Sequence, residues 1–222
     1  GEPSAVLPEL ATNVDADCVV WNEDYSGLAR ERDEAVRGAL TDRGIEHESH
    51  RDAVLHHPDD IRTNAGDPYQ VYTYYWKKWL DREKAEPAAP PASDALLTAD
   101  GETGEDAPAA FGAPVPSLYD LGFEEPEATI PEAGHEAARE LLQAFCEEPI
   151  YHYEENRDYP ARGGTSRLSP NLKYGTIGLR EVWATTADAY ESASSETQRE
   201  NVREYQSQLG WREFYTQVLY HN

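Results

Sequence analysis

The spacing of apolar and polar positions divides the chain into two unlike halves. Asp17-Cys18-Val19-Val20-Trp21 is a short apolar run that breaks at Asn22-Glu23-Asp24, and it reads as a strand. Leu28, Arg32, Ala35, Val36, Ala39 and Leu40 then share one helical face until Gly44, after which Ile45 to Ser49 resumes an extended pattern. Strand, helix and strand at this length form a βαβ unit, so a parallel sheet is predicted. Residues 52–68 read as a loop turning at Gly66-Asp67-Pro68, and Val71 to Leu80 as a helix crowded with Tyr72, Tyr74, Tyr75, Trp76 and Trp79. Rings at that density signal packing rather than a base-stacking platform.

From Glu83 to Pro131 the pattern gives way to Ala, Pro, Asp, Glu and Gly, and the prolines preclude any long element. An extended or disordered linker is expected there. Beyond it every periodic segment is helical: Ala137, Ala138, Leu141, Leu142 and Phe145; then Leu179, Val182, Trp183, Thr186 and Tyr190; then Val202, Tyr205 and Leu209 onward. Ser195-x-x-Gln198 reads as a capping box, and Ser169-Pro170 as N-cap followed by first helical residue. The fold class is therefore α/β plus all-α, with boundaries at 1–82, 83–131 and 132–222.

Charge narrows the partners less than it first promises. With 43 Asp and Glu against 19 Lys and Arg, the formal charge is −24, which repels polyanions at long range. The excess is spread along the whole chain and only four residues are Lys, a distribution suited to very high salt. In molar salt the screening length falls to ~3 Å, so the net charge does not veto a DNA partner. Cys18 and Cys146 stand apart and read as small buried residues. His47, His50, His56 and His57 read as solvated loop or strand-end residues, and no metal site is proposed. The longest apolar run is a few residues and there is no leader pattern, so a cytoplasmic protein without a membrane partner is expected. The absence of Met, together with a helical pattern still running at Asn222, reads as a piece of a longer chain.

The chemistry concentrates in Gly164-Thr165-Ser166-Arg167-Leu168-Ser169-Pro170. Hydroxyls and backbone amides at a helix start are phosphate-binding groups, and the same pattern also serves an ordinary capped loop. Tyr151 to Pro160 precedes this stretch, and Tyr205, Gln208, Trp211 and Arg212 follow it at helical spacing. An aromatic, phosphorylated ligand would suit that set. The plainer alternative makes Trp211 and Tyr215 core residues and Arg212 and Glu213 a surface pair.

The string Tyr-x4-Arg-Asp-Tyr-Pro, then Gly-Thr-Ser-Arg-Leu-Ser-Pro-x-Leu-Lys-Tyr-Gly, then Trp-Arg-Glu-Phe-Tyr resembles the flavin-binding domain of the DNA photolyase/cryptochrome family. Trp21-Asn22-x-Asp24-Tyr25 and Gly66-x-Pro68-Tyr69-x-Val71-Tyr72-Thr73 resemble the later part of that family's N-terminal domain. The resemblance covers about Asp17 to Leu80 and Pro149 to Asn222, and the acidic, Lys-poor composition is most like haloarchaeal members of the class I type. It implies a partial Rossmann-like antenna domain, a long linker and the first part of a helical FAD-binding domain. It also implies light-driven electron transfer that splits cyclobutane pyrimidine dimers, with a (6-4) photolyase, a cryptochrome-type photoreceptor or a non-catalytic nucleotide-binding module as alternatives.

Carried onto this sequence, the resemblance implies that Tyr153 lies against the flavin nucleotide and that Thr165, Ser166, Leu168 and Ser169 hold its diphosphate. Tyr205 stands at the flavin edge where many relatives have tryptophan, and Arg212 reaches the flavin from the last helix. Trp211 faces an extruded dimer in damaged DNA, and Gln208 hydrogen-bonds the lesion. Glutamine departs there from the glutamate usual in enzymes for cyclobutane dimers, and matches (6-4) enzymes and animal cryptochromes. Ser26 replaces the glutamate of folate-binding relatives, which favours 8-hydroxy-5-deazaflavin over folate as second chromophore. No catalytic set is complete within the chain, so the expectation is a monomeric piece that alone binds FAD weakly or not at all and repairs nothing.

Overall fold

A computed structural model describes residues 1–89, 116–124, 127–128 and 130–222. The expected linker at 83–131 falls largely outside the described residues. The chain divides into two compact units, one formed mainly by residues 1–21 and 31–49, the other by 22–30, 50–87 and 133–222.

In the first unit the hydrophobic pattern predicts nothing before Asp17, yet helix α1 spans Pro3–Asn13. Pro3 opens it at a position where the missing N–H costs nothing. Pro8 lies inside it, and Thr12 Oγ1 donates to the Pro8 carbonyl at 2.8 Å. Strand β1 (Cys18–Asn22), helix α2 (Gly27–Asp42) and strand β2 (Glu46–His50) then form the expected βαβ unit. Glu46 N–H donates to Asp17 O at 3.2 Å, and Glu23 N–H to His50 O at 2.9 Å. Start therefore pairs with start and end with end, which makes the two strands parallel. Ala11, Val36 and Leu40 are buried. Cys18 is exposed rather than buried, because strand alternation turns it outward. Cys146 is half-buried, and burial pushes its thiol up to about 12.

The second unit packs helix α3 (Tyr72–Asp81) with α4 (His135–Glu147), α5 (Tyr153–Asn156), α6 (Ser169–Tyr174), α7 (Leu179–Ser192) and α8 (Glu196–His221). Ala138, Leu142 and Phe145 on α4 and Leu179, Val182, Thr186 and Ala189 on α7 are the buried faces that the spacing predicts. Trp79 has no exposed surface, and burying a side chain of that kind is worth roughly 1.5–3 kcal/mol. Helix α8 buries polar groups as well. Gln206 Nε2 donates to Thr186 Oγ1 at 3.3 Å, and Gln217 Nε2 to Tyr69 O at 3.0 Å. Gly210 is the contact point with α3, since a Cβ there would lie 2.7 Å from Trp76 Cε3.

Two helix starts differ from the sequence expectation. Leu168 occupies the cap position of α6 and no side chain caps it, so Ser169 is its first helical residue. Ser195 does cap α8, its Oγ accepting from Gln198 N–H at 3.2 Å. Gln198 Oε1, however, accepts from Ser194 N–H at 2.7 Å instead of closing the box on Ser195. Among the described residues no helix is long and apolar enough to cross a membrane.

Candidate functional site

The loop before α6 is held at two points. Gly164 is buried against Asn156 so closely that a Cβ would come within 2.3 Å of the Asn156 Cβ. Leu168 is buried in the helical core. Gly163, just ahead of the first point, and Arg167, just ahead of the second, take left-handed backbone angles, φ 64° and 53°, and a non-glycine residue at such an angle turns the chain sharply. The loop therefore bulges outward at Thr165 and Arg167, which are exposed.

Ser166 is the junction. Its Oγ accepts from Tyr205 O–H at 3.1 Å and from Leu168 N–H at 3.4 Å. A hydroxyl with both lone pairs engaged has its own proton left to donate. Burial holds the Tyr205 phenol above its ordinary value, so it stays a donor. Tyr205 also stands edge-on to Tyr153, with centroids 5.3 Å apart at 89°. Tyr153, Ser166, Leu168 and Tyr205 thus form one cluster. Thr165 and Ser169 lie beside it with exposed hydroxyls that have no hydrogen-bond partner among the described residues.

The other sequence candidates on α8 do not join this cluster. Gln208 Nε2 donates to Glu204 Oε1 at 3.1 Å, and Glu204 in turn pairs with Arg157. Arg212 lies seven residues beyond Tyr205, about two turns or roughly 10 Å along the axis. Its guanidinium donates to the Ala53 carbonyl and, at 3.4 Å, to Leu172 O. There it lines a cavity of about 230 Å³ with Asn22, Asp24, Asp52 and Lys173. Trp211 stacks face to face on Tyr72 at 3.6 Å and 14°. Ser26 Oγ accepts from Ala29 N–H at 3.3 Å, so its hydroxyl caps the start of α2.

The residue that sequence reasoning missed is Glu213. Far from forming a surface pair, its carboxylate is buried and accepts from Leu55 N–H at 2.5 Å, His56 N–H at 3.2 Å and Trp79 Nε1–H at 2.7 Å. Burial raises its carboxyl to about 7, while the three donors and Arg212 pull the other way. His56 is likewise buried rather than solvated, and burial lowers its imidazole to about 4. One signal was available, since Val202, Gln206, Leu209, Glu213 and Gln217 follow helical spacing along a single arc.

Against this geometry the DNA photolyase family model matches residues 1–93. The chain is 54% identical to a deoxyribodipyrimidine photo-lyase of Halobacterium salinarum, over all of this chain and 45% of that protein. It is 42% identical to an uncharacterized 31.6 kDa protein of a Synechococcus strain, over 96% of this chain and 72% of that one. A bacterial class III photolyase from Agrobacterium tumefaciens shares its fold with a TM-score of 0.82 at 28% identity, covering all of this chain and 44% of that one. The chain spans less than half the length of the photolyases it matches.

Proposed function

This chain belongs to the DNA photolyase family, and from that premise we propose that it is part of a light-driven, FAD-dependent enzyme that splits cyclobutane pyrimidine dimers in damaged DNA, spanning the later part of its antenna domain and the first part of its helical FAD-binding domain. The observation that carries the flavin assignment is Ser166, whose engaged lone pairs leave a proton to donate beside the exposed hydroxyls of Thr165 and Ser169. Those donors suit a diphosphate. Tyr153 and Tyr205 supply an aromatic edge beside them, and Leu168 holds the loop in place. When bound, FAD supplies the photo-excited electron donor, and the chain's part is to hold and orient it. On this reading Arg212 approaches the flavin from the far end of α8, while Trp211 and Gln208 face the extruded lesion. Extruding a base costs a few kcal/mol and is cheapest where stacking is already damaged.

The domain limits of this reading are 1–82, 83–131 and 132–222, in a cytoplasmic monomer without a membrane partner. The second chromophore is 8-hydroxy-5-deazaflavin, in keeping with Ser26. One residue favours a second reading: Gln208 presents a carboxamide where a carboxylate suits cyclobutane dimers, which leaves the (6-4) lesion or a cryptochrome-type signalling role as the alternative. The test is a chimera in which the chain is completed by the remainder of the Halobacterium relative. It is expected to retain FAD and split cyclobutane dimers under blue light, to lose flavin on joint Thr165→Ala and Ser166→Ala substitution, and to change lesion preference on Gln208→Glu. Retained flavin in the double variant would overturn the cradle, and repair of (6-4) lesions alone would overturn the substrate.

A further inference from the structure

Gln208 lies on α8 one turn after Glu204, and its carboxamide is tied down at one end. Its Nε2 donates to Glu204 Oε1 at 3.1 Å and approaches Ser207 Oγ at 3.4 Å. Glu204 is itself held, because the Arg157 guanidinium donates to the same Oε1 from the end of α5. Arg157 is anchored in turn. Its backbone N–H donates to Tyr153 O at 2.9 Å, and its guanidinium lies 5.8 Å from the centre of the Tyr153 ring.

A carboxylate has lone pairs and no proton, so it can only accept. The NH2 end of Gln208 must therefore meet Glu204, and the oxygen must point the other way. That oxygen has no hydrogen-bond partner among the described residues, and the side chain is only half-buried. The same geometry gives a reason for glutamine at this position. A glutamate at 208 would set a second carboxylate beside Glu204, and like charges four residues apart on a helix repel. Glutamine gives its NH2 to Glu204 and still presents an oxygen.

We propose that Glu204, held by Arg157, is a positioning residue that fixes the Gln208 carboxamide with its oxygen outward, so that Gln208 meets the lesion as an acceptor, as a carboxylate would. The inference rests on the reading of Gln208 as the lesion-facing residue. Each ring of a cyclobutane thymine dimer keeps an imide N3–H between two carbonyls. An outward oxygen accepts from that N–H, whereas an outward NH2 would set donor against donor. The tie to Glu204 makes the choice before the lesion arrives, which removes an ordering cost from binding. It also polarises the amide, so the outward oxygen is the stronger acceptor for it.

The test uses the chimera completed by the Halobacterium relative, loaded with FAD and kept in the dark. Affinity is measured for a duplex with one cyclobutane thymine dimer, for that duplex with both N3 atoms of the dimer methylated, and for undamaged duplex. The parent is expected to prefer the dimer over undamaged DNA and to lose roughly tenfold of that preference on methylation, the worth of about one hydrogen bond. Glu204→Lys puts a donor where the acceptor stood, so Gln208 turns its oxygen inward and its NH2 out. The preference should then fall about tenfold, and methylation should change it by less than about twofold. Adding Gln208→Glu should restore both responses, because a carboxylate pairs with the new ammonium and still accepts with its other oxygen. Loss of the Arg157–Glu204 pair is common to both variants, so a scaffold role alone gives no rescue. If Glu204→Lys loses flavin, Glu204→Gln carries the test, with a loss of about threefold that Gln208→Glu again reverses. A parent indifferent to the dimer or to its methylation overturns the lesion-facing reading and this inference with it. A parent with both responses whose preference survives Glu204→Lys, or is lost without rescue, overturns this inference alone.

Discussion

Helix α8 meets two loops in the second unit and treats them differently. At residues 53–57 it inserts Glu213, and the loop's amides close on that carboxylate until no oxygen is left to water. At residues 163–169 it offers Tyr205, which takes one lone pair of Ser166 and leaves the neighbouring hydroxyls outside. The first loop is finished by the chain itself. The second is fixed in position with the hydroxyls of Thr165 and Ser169 facing outward, and under the proposed function these are the groups that meet the flavin diphosphate. Burial of a satisfied polar group thus marks a joint, whereas an anchored loop with outward donors leaves its hydrogen-bonding capacity unspent.

Glu213→Ala should break the first loop most severely. It strands three donors, one of them the fully buried Trp79, and removes the packed stem. A loss of about 3–5 kcal/mol in urea unfolding is expected, and a loss below about 1 kcal/mol would show that the loop is held elsewhere. The pH dependence gives the same comparison a sign. Because the folded carboxyl sits at about 7 against an ordinary 4.5, the folded state binds more protons than the unfolded one across that window. This group's stabilisation is therefore complete below pH 4.5 and is lost as pH rises through 7. The slope should disappear in Glu213→Gln.

An intermediate effect is expected at Gly164→Ala. The new methyl meets Asn156 Cβ and its backbone carbon, neither of them the free end of a flexible side chain. A cost of about 1–3 kcal/mol follows, together with altered proteolysis of the bulge between Gly163 and Leu168. Unchanged stability and cleavage would show that the loop is not pinned there. The smallest effect belongs to Ser169→Ala, whose hydroxyl is exposed and caps nothing. Its unfolding midpoint should move by no more than about 0.5 kcal/mol, and a larger shift would make Ser169 part of the scaffold rather than of the cradle.

The local elements were legible because each is written in one contiguous pattern. The βαβ unit, the apolar faces of α4 and α7 and the Ser195 cap all depend on residues within a few positions of one another. Helix α1 left no periodic signal to read, because it carries proline both at its first position, where the missing N–H costs nothing, and inside it at Pro8. Leu168 displaced Ser169 as cap of α6 because Arg167 turns the chain just before it. The hydroxyls of Thr165, Ser166 and Ser169 could be read from the sequence, but not the link of Ser166 to Tyr205, which lies 39 positions away. Glu213 was the hardest to see. A glutamate between arginine and phenylalanine looks like a surface residue until Leu55, 158 positions earlier, is folded against it.

The pairing of α3 with α8 joins residues that are 134 and 135 positions apart, Trp79 with Glu213 and Tyr72 with Ser207. Closing so long a loop is an entropic cost that grows only with the logarithm of its length, so doubling it adds about 0.6 kcal/mol. Helices α4 to α7 lie between the two in sequence and pack in the same unit, so much of that separation is taken up by folded elements and the register of α3 against α8 is what the chain must keep. The same separation delays the pairing in time, because contacts far apart in sequence form after local helices have already closed.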